Sequence, residues 1–278
     1  MDNNSLETYI CNNCNCSFIS SNKNICIYCG SNNISVTDSM DYSDYEVIPF
    51  NQSIDNVKKK YKSIIRYNYL LPFVFRKKST YSKVKKIFIP AYLYNASIKG
   101  KISFIGADKI MKNQKYEILH DISIDFNNVI VSSCEKIDDS IISSINDYNY
   151  EMLKEYDDTL IKDSSILESN KSENDVRNIV LNKITNMALN TVKNNVNHDL
   201  KKLDYNDTAV DFSSVKKVLI PVYSISIKYK NKDYLFYMNG YTGNSNLDTT
   251  NSYLSMFILY FVLFILFLII TVGWSILF

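Results

Sequence analysis

The chain has 278 residues, with 31 basic against 29 acidic side chains and a net charge of +2, so it lacks the global positive field of a typical nucleic-acid binder. Hydrophobic residues make up 46% of it, which outside an apolar C-terminal run is ordinary for a globular protein with room for one or two domains. The opening MDNNSLETYI has neither a basic region nor an apolar one, so no signal peptide is expected there.

Residues 9–36 carry the strongest local pattern. Cys11-x-x-Cys14 and Cys26-x-x-Cys29 stand eleven residues apart, which is zinc-ribbon spacing. Each pair turns two thiolates toward one ion, and two pairs close a tetrahedral shell of four sulfurs. Gly30 follows the second pair, and Asn15 holds the matching place after the first, where a left-handed backbone is needed. So short a segment buries too little apolar surface to fold alone, and one structural Zn²⁺ would supply the missing stability. Cys11, Cys14, Cys26 and Cys29 are the predicted ligands, with Cys16 a bystander or a competitor of Cys14.

Residues 37–46 are acidic and unpatterned and read as a linker. Next, Ile54, Val57, Tyr61, Ile64 and Ile65 share one helical face, Ser53 is the expected N-cap, and Lys58, Lys59, Lys60 and Lys62 occupy other faces. Arg76, Lys77, Lys78, Lys83, Lys85 and Lys86 form a second basic cluster. A solvated surface is the plain reading of both clusters; contact with anionic lipid or nucleic acid is the functional one.

An internal repeat follows. KKIFIPAYLYNASIKGKISFIG from Lys85 parallels KKVLIPVYSISIKYKNKDYLFYMNG from Lys216, with Pro90 matching Pro221 and Tyr92 matching Tyr223 at an offset of 131. Both read as β-hairpins, turning at Lys99-Gly100-Lys101 and at Lys230-Asn231-Lys232, and each proline suggests an edge or a bulge. Between the copies, 115–126 and 128–133 alternate like strands. A longer helix is expected from Ser172, which forms a capping box with Asp175 and precedes an apolar stripe from Val176 to Val192.

No charged side chain follows Asp248, and 253–278 is apolar on every face. A bilayer core of about 30 Å needs roughly 20 such residues. A single C-terminal transmembrane helix is therefore expected, anchoring the protein to a membrane with Trp274 near the far interface. The body is placed on the cytoplasmic side, since thiolate zinc sites favour a reducing compartment. The expected fold class is α+β, with four parts: a zinc ribbon (1–36), a linker (37–46), an α+β body with two related β-hairpin repeats (47–245), and a connector with the transmembrane anchor (246–278).

These features resemble a bacterial family, seen mostly in Firmicutes, of membrane-anchored proteins with an N-terminal zinc ribbon of the transcription-factor-B type. The matching residues are Cys11, Cys14, Cys26, Cys29 and Gly30; Pro49-Phe50; Pro90-Ala91-Tyr92; Pro221-Val222-Tyr223; and the 234–243 segment YLFYMNGYTG. Tyr92 and Tyr223 stand where the family has tryptophan, and Asn15 where it has glycine. The resemblance implies a ribbon and an anchor and no particular reaction.

Catalytic patterns are lacking. His120 and His198 each neighbour an aspartate, but adjacent strand residues point to opposite faces and make no dyad. There is no H-E-x-x-H, G-x-S-x-G, Walker A or G-x-G-x-x-G motif, and Cys134 has no evident base. Asp138-Asp139 and Asp157-Asp158 read as solvated loops or cation ligands. The Asn239-Gly240-x-Thr242-Gly243 segment reads as a tight turn or a ligand cradle. The expectation is a non-catalytic, membrane-anchored, cytosol-facing interaction or adaptor module with a protein partner. Nucleic-acid binding through the ribbon is the alternative, weakened because Lys23 is the one basic residue in 9–36.

Overall fold

Runs of β-branched and aromatic residues alternating with polar ones favour extended chain, and here they build one large sheet. The structure, a computed structural model, describes residues 6–21, 24–68, 70–107, 115–195, 199–248 and 253–277. Its strands are β1 (Glu7–Cys11), β2 (Ser17–Ser20), β3 (Ile34–Val36), β4 (Glu46–Val47), β5 (Lys85–Ala107), β6 (Lys115–Ser132), β7 (Lys154–Glu155), β8 (Ser165–Leu167), β9 (Asp199–Tyr229), β10 (Lys232–Asn239) and β11 (Ser245–Leu247). The helices are α1 (Ile54–Tyr67), α2 (Lys78–Tyr81), α3 (Asp139–Ile145), α4 (Asp158–Ile161), α5 (Glu173–Asn195) and α6 (Tyr253–Leu277), with short 3₁₀ turns at Phe73–Arg76 and Tyr150–Met152. Eleven strands join in one mixed sheet, with the path β11-β10-β9-β5-β8-β2-β1-β3; β6 lies on β5, and β4 bridges β9 and β7.

The two proline-bearing segments pair with each other at the centre of this sheet. β5 and β9 run antiparallel with Ile89 opposite Ile220, Phe88 opposite Pro221 and Pro90 opposite Leu219. Ile89 and Ile220 are themselves repeat equivalents, so a pseudo-two-fold axis passes through that pair. The same axis relates the neighbours. β4 lies parallel to β9 at Val218 and Leu219, and β8 lies parallel to β5 at the equivalent Ile87 and Phe88. Each proline sits where its strand changes partner, from β8 to β6 at Pro90 and from β4 to β10 at Pro221. A missing N–H costs no ladder bond there, so neither an edge nor a bulge is required.

The helices obey the same symmetry, at an offset of 119. Ser53 Oγ accepts the Asn56 N–H at 3.2 Å, and Ser172 Oγ accepts the Asp175 N–H at 3.2 Å, so each serine caps its helix. Before each cap, two consecutive amides converge on one carbonyl: Asn51 and Gln52 on Gly240, Asn170 and Lys171 on Ser133. Val57, Tyr61 and Ile65 of α1 are buried against Tyr223, Ile225, Phe236 and Met238 of the β9–β10 hairpin. Their equivalents Val176, Val180 and Ile184 of α5 are buried against Tyr92, Tyr94, Val129 and Val131 of the β5–β6 pair. The body is thus an internal duplication, β4-α1-β5-β6 and β8-α5-β9-β10, in which each helix packs on the other half's hairpin. Each fully buried apolar side chain in these layers contributes roughly 1.5–3 kcal/mol.

Two expectations are corrected here. First, the Lys99-Gly100-Lys101 segment does not turn. β5 runs through it without a break, and its hairpin partner is β6, which begins at Lys115. Gly100 (φ 142°) is present because the backbone of β9 comes so close; a Cβ built there would lie 2.1 Å from the Asp207 carbonyl oxygen. The second repeat does turn, with Lys230 and Asn231 both at positive φ (50° and 59°), as a two-residue type I′ hairpin needs.

Second, the α+β body with a C-terminal transmembrane helix gives way to a chain dominated by one mixed sheet with helices packed on it. α6 forms, but among the described residues no helix is long and apolar enough to cross a membrane. The single-pass anchor is withdrawn on this finding, and with it the membrane localisation with the body on the cytoplasmic side. The side chain of Trp274 lies outside the described set.

Candidate metal centre

The N-terminal segment reaches the sheet through β2, which pairs with β1 on one side and with β8 on the other. The first cysteine pair turns between β1 and β2; the second lies between β2 and β3. In the first knuckle the Asn15 N–H donates to the Cys11 carbonyl at 2.8 Å, and Asn15 is left-handed (φ 54°). In the second the Gly30 N–H donates to the Cys26 carbonyl at 3.0 Å, with Gly30 at φ 74°. Both turns take the positive φ that the sequence pattern demands of these two positions.

The knuckles bring Cys11, Cys14, Cys26 and Cys29 together, all four sulfurs within 4.8 Å of one another. Cys11 Sγ lies 3.6 Å from Cys29 Sγ, and Cys14 Sγ lies 3.7 Å from Cys26 Sγ. Zinc–thiolate bonds of about 2.3 Å in a tetrahedron place sulfurs about 3.8 Å apart. The donor set and spacing therefore fit Zn²⁺. Cys11 and Cys26 are buried, while Cys14 and Cys29 are half-buried.

Polar groups around the cluster prepare it for negative charge. The Tyr28 N–H faces Cys26 Sγ at 3.4 Å, and the Asn13 amide faces Cys29 Sγ at 3.7 Å. Desolvation opposes ionisation of Cys29, but hydrogen bonds from the Ser31 backbone, Asn13 and the neighbouring thiols outweigh it and bring this thiol down to about 7. Burial pushes Cys14 and Cys26 up. The Lys85 ammonium, itself lowered by burial, donates to the Ile27 carbonyl within the second knuckle. A Zn²⁺ ion on four thiolates would leave a net charge of about −2, which this nearby cation and these N–H groups would offset.

Further contacts lock the ribbon to the body. Ser17 N–H donates to the Glu168 carboxylate at 3.0 Å, and Glu168 N–H donates to the Tyr28 hydroxyl at 3.0 Å. In the segment read as a linker, Tyr42 and Tyr45 are buried, and the Tyr42 hydroxyl donates to the Leu167 carbonyl at 2.8 Å. Glu168 carried no sequence signal, and Lys85 was read only as part of a basic cluster, because contacts 151 and 58 residues apart bring them to the ribbon.

The remaining sequence candidates lie elsewhere. Cys16 is buried with its thiol on the Cys14 carbonyl, outside the four-sulfur group. Cys134 is fully buried, its thiol raised by desolvation and 3.8 Å from the Tyr28 hydroxyl. Asp138 and Asp157 cap α3 and α4, accepting from Ser140 N–H and Thr159 N–H. His120 pairs with Ile102 across β6 and β5, and its Nε2 has no partner among the described residues; His198 lies outside them.

No protein-family model matches the chain, and no solved structure does. The chain is similar to a Bacillus subtilis (strain 168) protein described as "Uncharacterized protein YdjG", with 20% identity over 209 residues. That alignment covers 71% of this chain and 61% of the Bacillus protein, so the chain spans less than two thirds of its relative's length. The relative is bacterial, consistent with the resemblance drawn from the motifs.

Proposed function

We propose that this chain is a non-catalytic interaction module in which one structural zinc ion sets the shape of the ribbon and fastens it to the sheet. The supporting observation is the closed set of four cysteines, Cys11, Cys14, Cys26 and Cys29, on a strand pair continuous with the body through β2 and β8. A catalytic zinc keeps a position for water, whereas here protein sulfur supplies all four ligands. The partner class is a protein that reads the ribbon and the adjoining sheet. Metal analysis of the freshly purified full chain is expected to find one zinc per molecule; a metal-free protein with an ordered ribbon would overturn the reading.

Nucleic-acid binding is the second reading, and one observation favours it. Lys62 of the first basic cluster lies over the Tyr81 ring of α2, the helix that carries Lys78 of the second, with Lys62 Nζ 4.8 Å from the ring centroid. Phosphate contacts release counterions, so retention on an oligonucleotide column should collapse between about 50 and 200 mM salt if this reading holds. Absence of retention even at the lower salt would dismiss it.

A further inference from the structure

The Asn239-Gly240-x-Thr242-Gly243 segment and the lysines of α1 were separate features in the sequence. In the structure Thr242 and Gly243 of the segment and Lys59 and Lys60 of α1 line one open cleft of about 400 Å³, together with Gln52, Asn56, Ser63 and Met238. That size falls within the range of small-ligand sites. The turn's backbone is not itself the cradle, because its N–H groups and the Asn239 side chain are spent internally. Asn239 Oδ1 accepts from Tyr241 N–H and Thr242 N–H, Gly243 N–H donates to the Asn239 carbonyl, and Gly240 N–H donates to the Pro221 carbonyl. Gly240 also has no room for a side chain, since a Cβ would lie 2.5 Å from the Phe50 ring. The turn is a rigid wall, held to the approach of α1 by Gln52 Nε2 donating to the Tyr241 carbonyl at 3.1 Å.

The groups left to meet a ligand are the ammonium groups of Lys59 and Lys60 and the hydroxyls of Ser63 and Thr242. No acidic residue lines the cleft. Lys58 is engaged by Asp55 at 3.6 Å, but among the described residues neither Lys59 nor Lys60 has an anionic partner. The fold does not require this charge, because the pseudo-two-fold axis supplies a control. The equivalents of Lys59 and Lys60 on α5 are Asn178 and Ile179, the equivalent of Asn56 is Asp175, and the position matching Thr242 is Glu135. The same packing is built in the second half without the lysines and with two carboxylates. The basic cleft is specific to the first half and is independent of the zinc reading.

We propose that this cleft binds a phosphate group, with Lys59 and Lys60 neutralising its charge and Ser63 and Thr242 donating hydrogen bonds to its oxygens. The phosphate can belong to a soluble phosphate monoester or to a lipid headgroup, and the two sources are separable. The zinc-loaded full chain is titrated with glycerol 3-phosphate, and separately with phosphatidylcholine vesicles with and without phosphatidic acid. Saturable binding of glycerol 3-phosphate, weakened at least tenfold in Lys59→Ala/Lys60→Ala, is the result expected for a soluble ligand. Binding confined to the phosphatidic acid vesicles, with the same loss, assigns the headgroup. Lys77→Ala/Lys78→Ala removes equal charge outside the cleft and should retain binding. No saturable binding to either probe, or equal loss in both double variants, overturns the proposal. Both cleft lysines are exposed, so unchanged near-ultraviolet circular dichroism is the expected fold control.

Discussion

Cys11→Ser or Cys26→Ser should release the zinc and unfold the ribbon, the largest single-residue effect expected in this protein. Zinc binding in small modules contributes on the order of 10 kcal/mol at neutral pH. The ribbon has little else: its own core is Tyr9, Cys11, Phe18 and Cys26, with a few half-buried neighbours. Loss should also spread into the body, because β2 is the neighbour of β8 and Phe18 pairs with Leu167. The measurement is zinc content alongside protease susceptibility of residues 6–36. Cys16→Ser and Cys134→Ser should keep full zinc content, since neither sulfur belongs to the group of four. Full zinc content in Cys11→Ser, or zinc lost in Cys16→Ser, would show that the ligand set is wrong.

Gly100→Ala should cost about 3 kcal/mol or more, which is severe for the addition of one methyl group. The added carbon would meet the Asp207 carbonyl oxygen at 2.1 Å and Thr208 Cα at 2.8 Å, both backbone atoms that cannot swing aside. The φ of 142° adds conformational strain of roughly 1–3 kcal/mol for any residue with a side chain. Gly30→Ala is the informative comparison. It also has positive φ (74°), but a Cβ there meets nothing within 4 Å, so only the left-handed penalty of about 1–2 kcal/mol applies. Denaturant unfolding of the two variants should therefore separate close backbone approach from conformational strain. Equal destabilisation in both would mean that β5 and β9 do not approach as closely at Gly100.

The cysteine cluster was legible because its information is local. Two residues between paired cysteines suffice to aim both sulfurs at one ion, and Asn15 and Gly30 mark the left-handed turns beside them. The Ser53 cap and the Ser172–Asp175 box were legible for the same reason, since each is closed within three residues. Gly100 was misread because a glycine that permits a turn and one that admits a neighbouring backbone look alike in sequence.

The duplication was half legible. The strand repeat showed itself through Pro90 and Pro221, whereas the matching of α1 to α5 rests on scattered identities: Asn51 and Asn170, Ser53 and Ser172, Val57 and Val176, Ile65 and Ile184. Buried positions need only apolar bulk of suitable size, so Tyr61 and Val180 fill equivalent sites without sharing a letter. Helix exchange between the halves could not be read at all. Which hairpin a helix covers depends on where the chain crosses the sheet, not on the helix's own stripe.

By itself, then, the sequence determined the four clustered cysteines, the helix caps, a turn at Lys230-Asn231-Lys232 and the existence of a repeat, all set by short-range backbone and side-chain geometry. Tertiary structure alone decided that the repeats pair about Ile89 and Ile220 and that the ribbon is a continuation of the body sheet. It also withdrew the anchor inferred from the hydropathy of 253–278, and it brought Lys59, Lys60 and Thr242 to one cleft. The strand pairing, the ribbon's continuity with the body and the cleft depend on contacts across more than a hundred residues, where pairing register and packing, rather than local preference, set the energy.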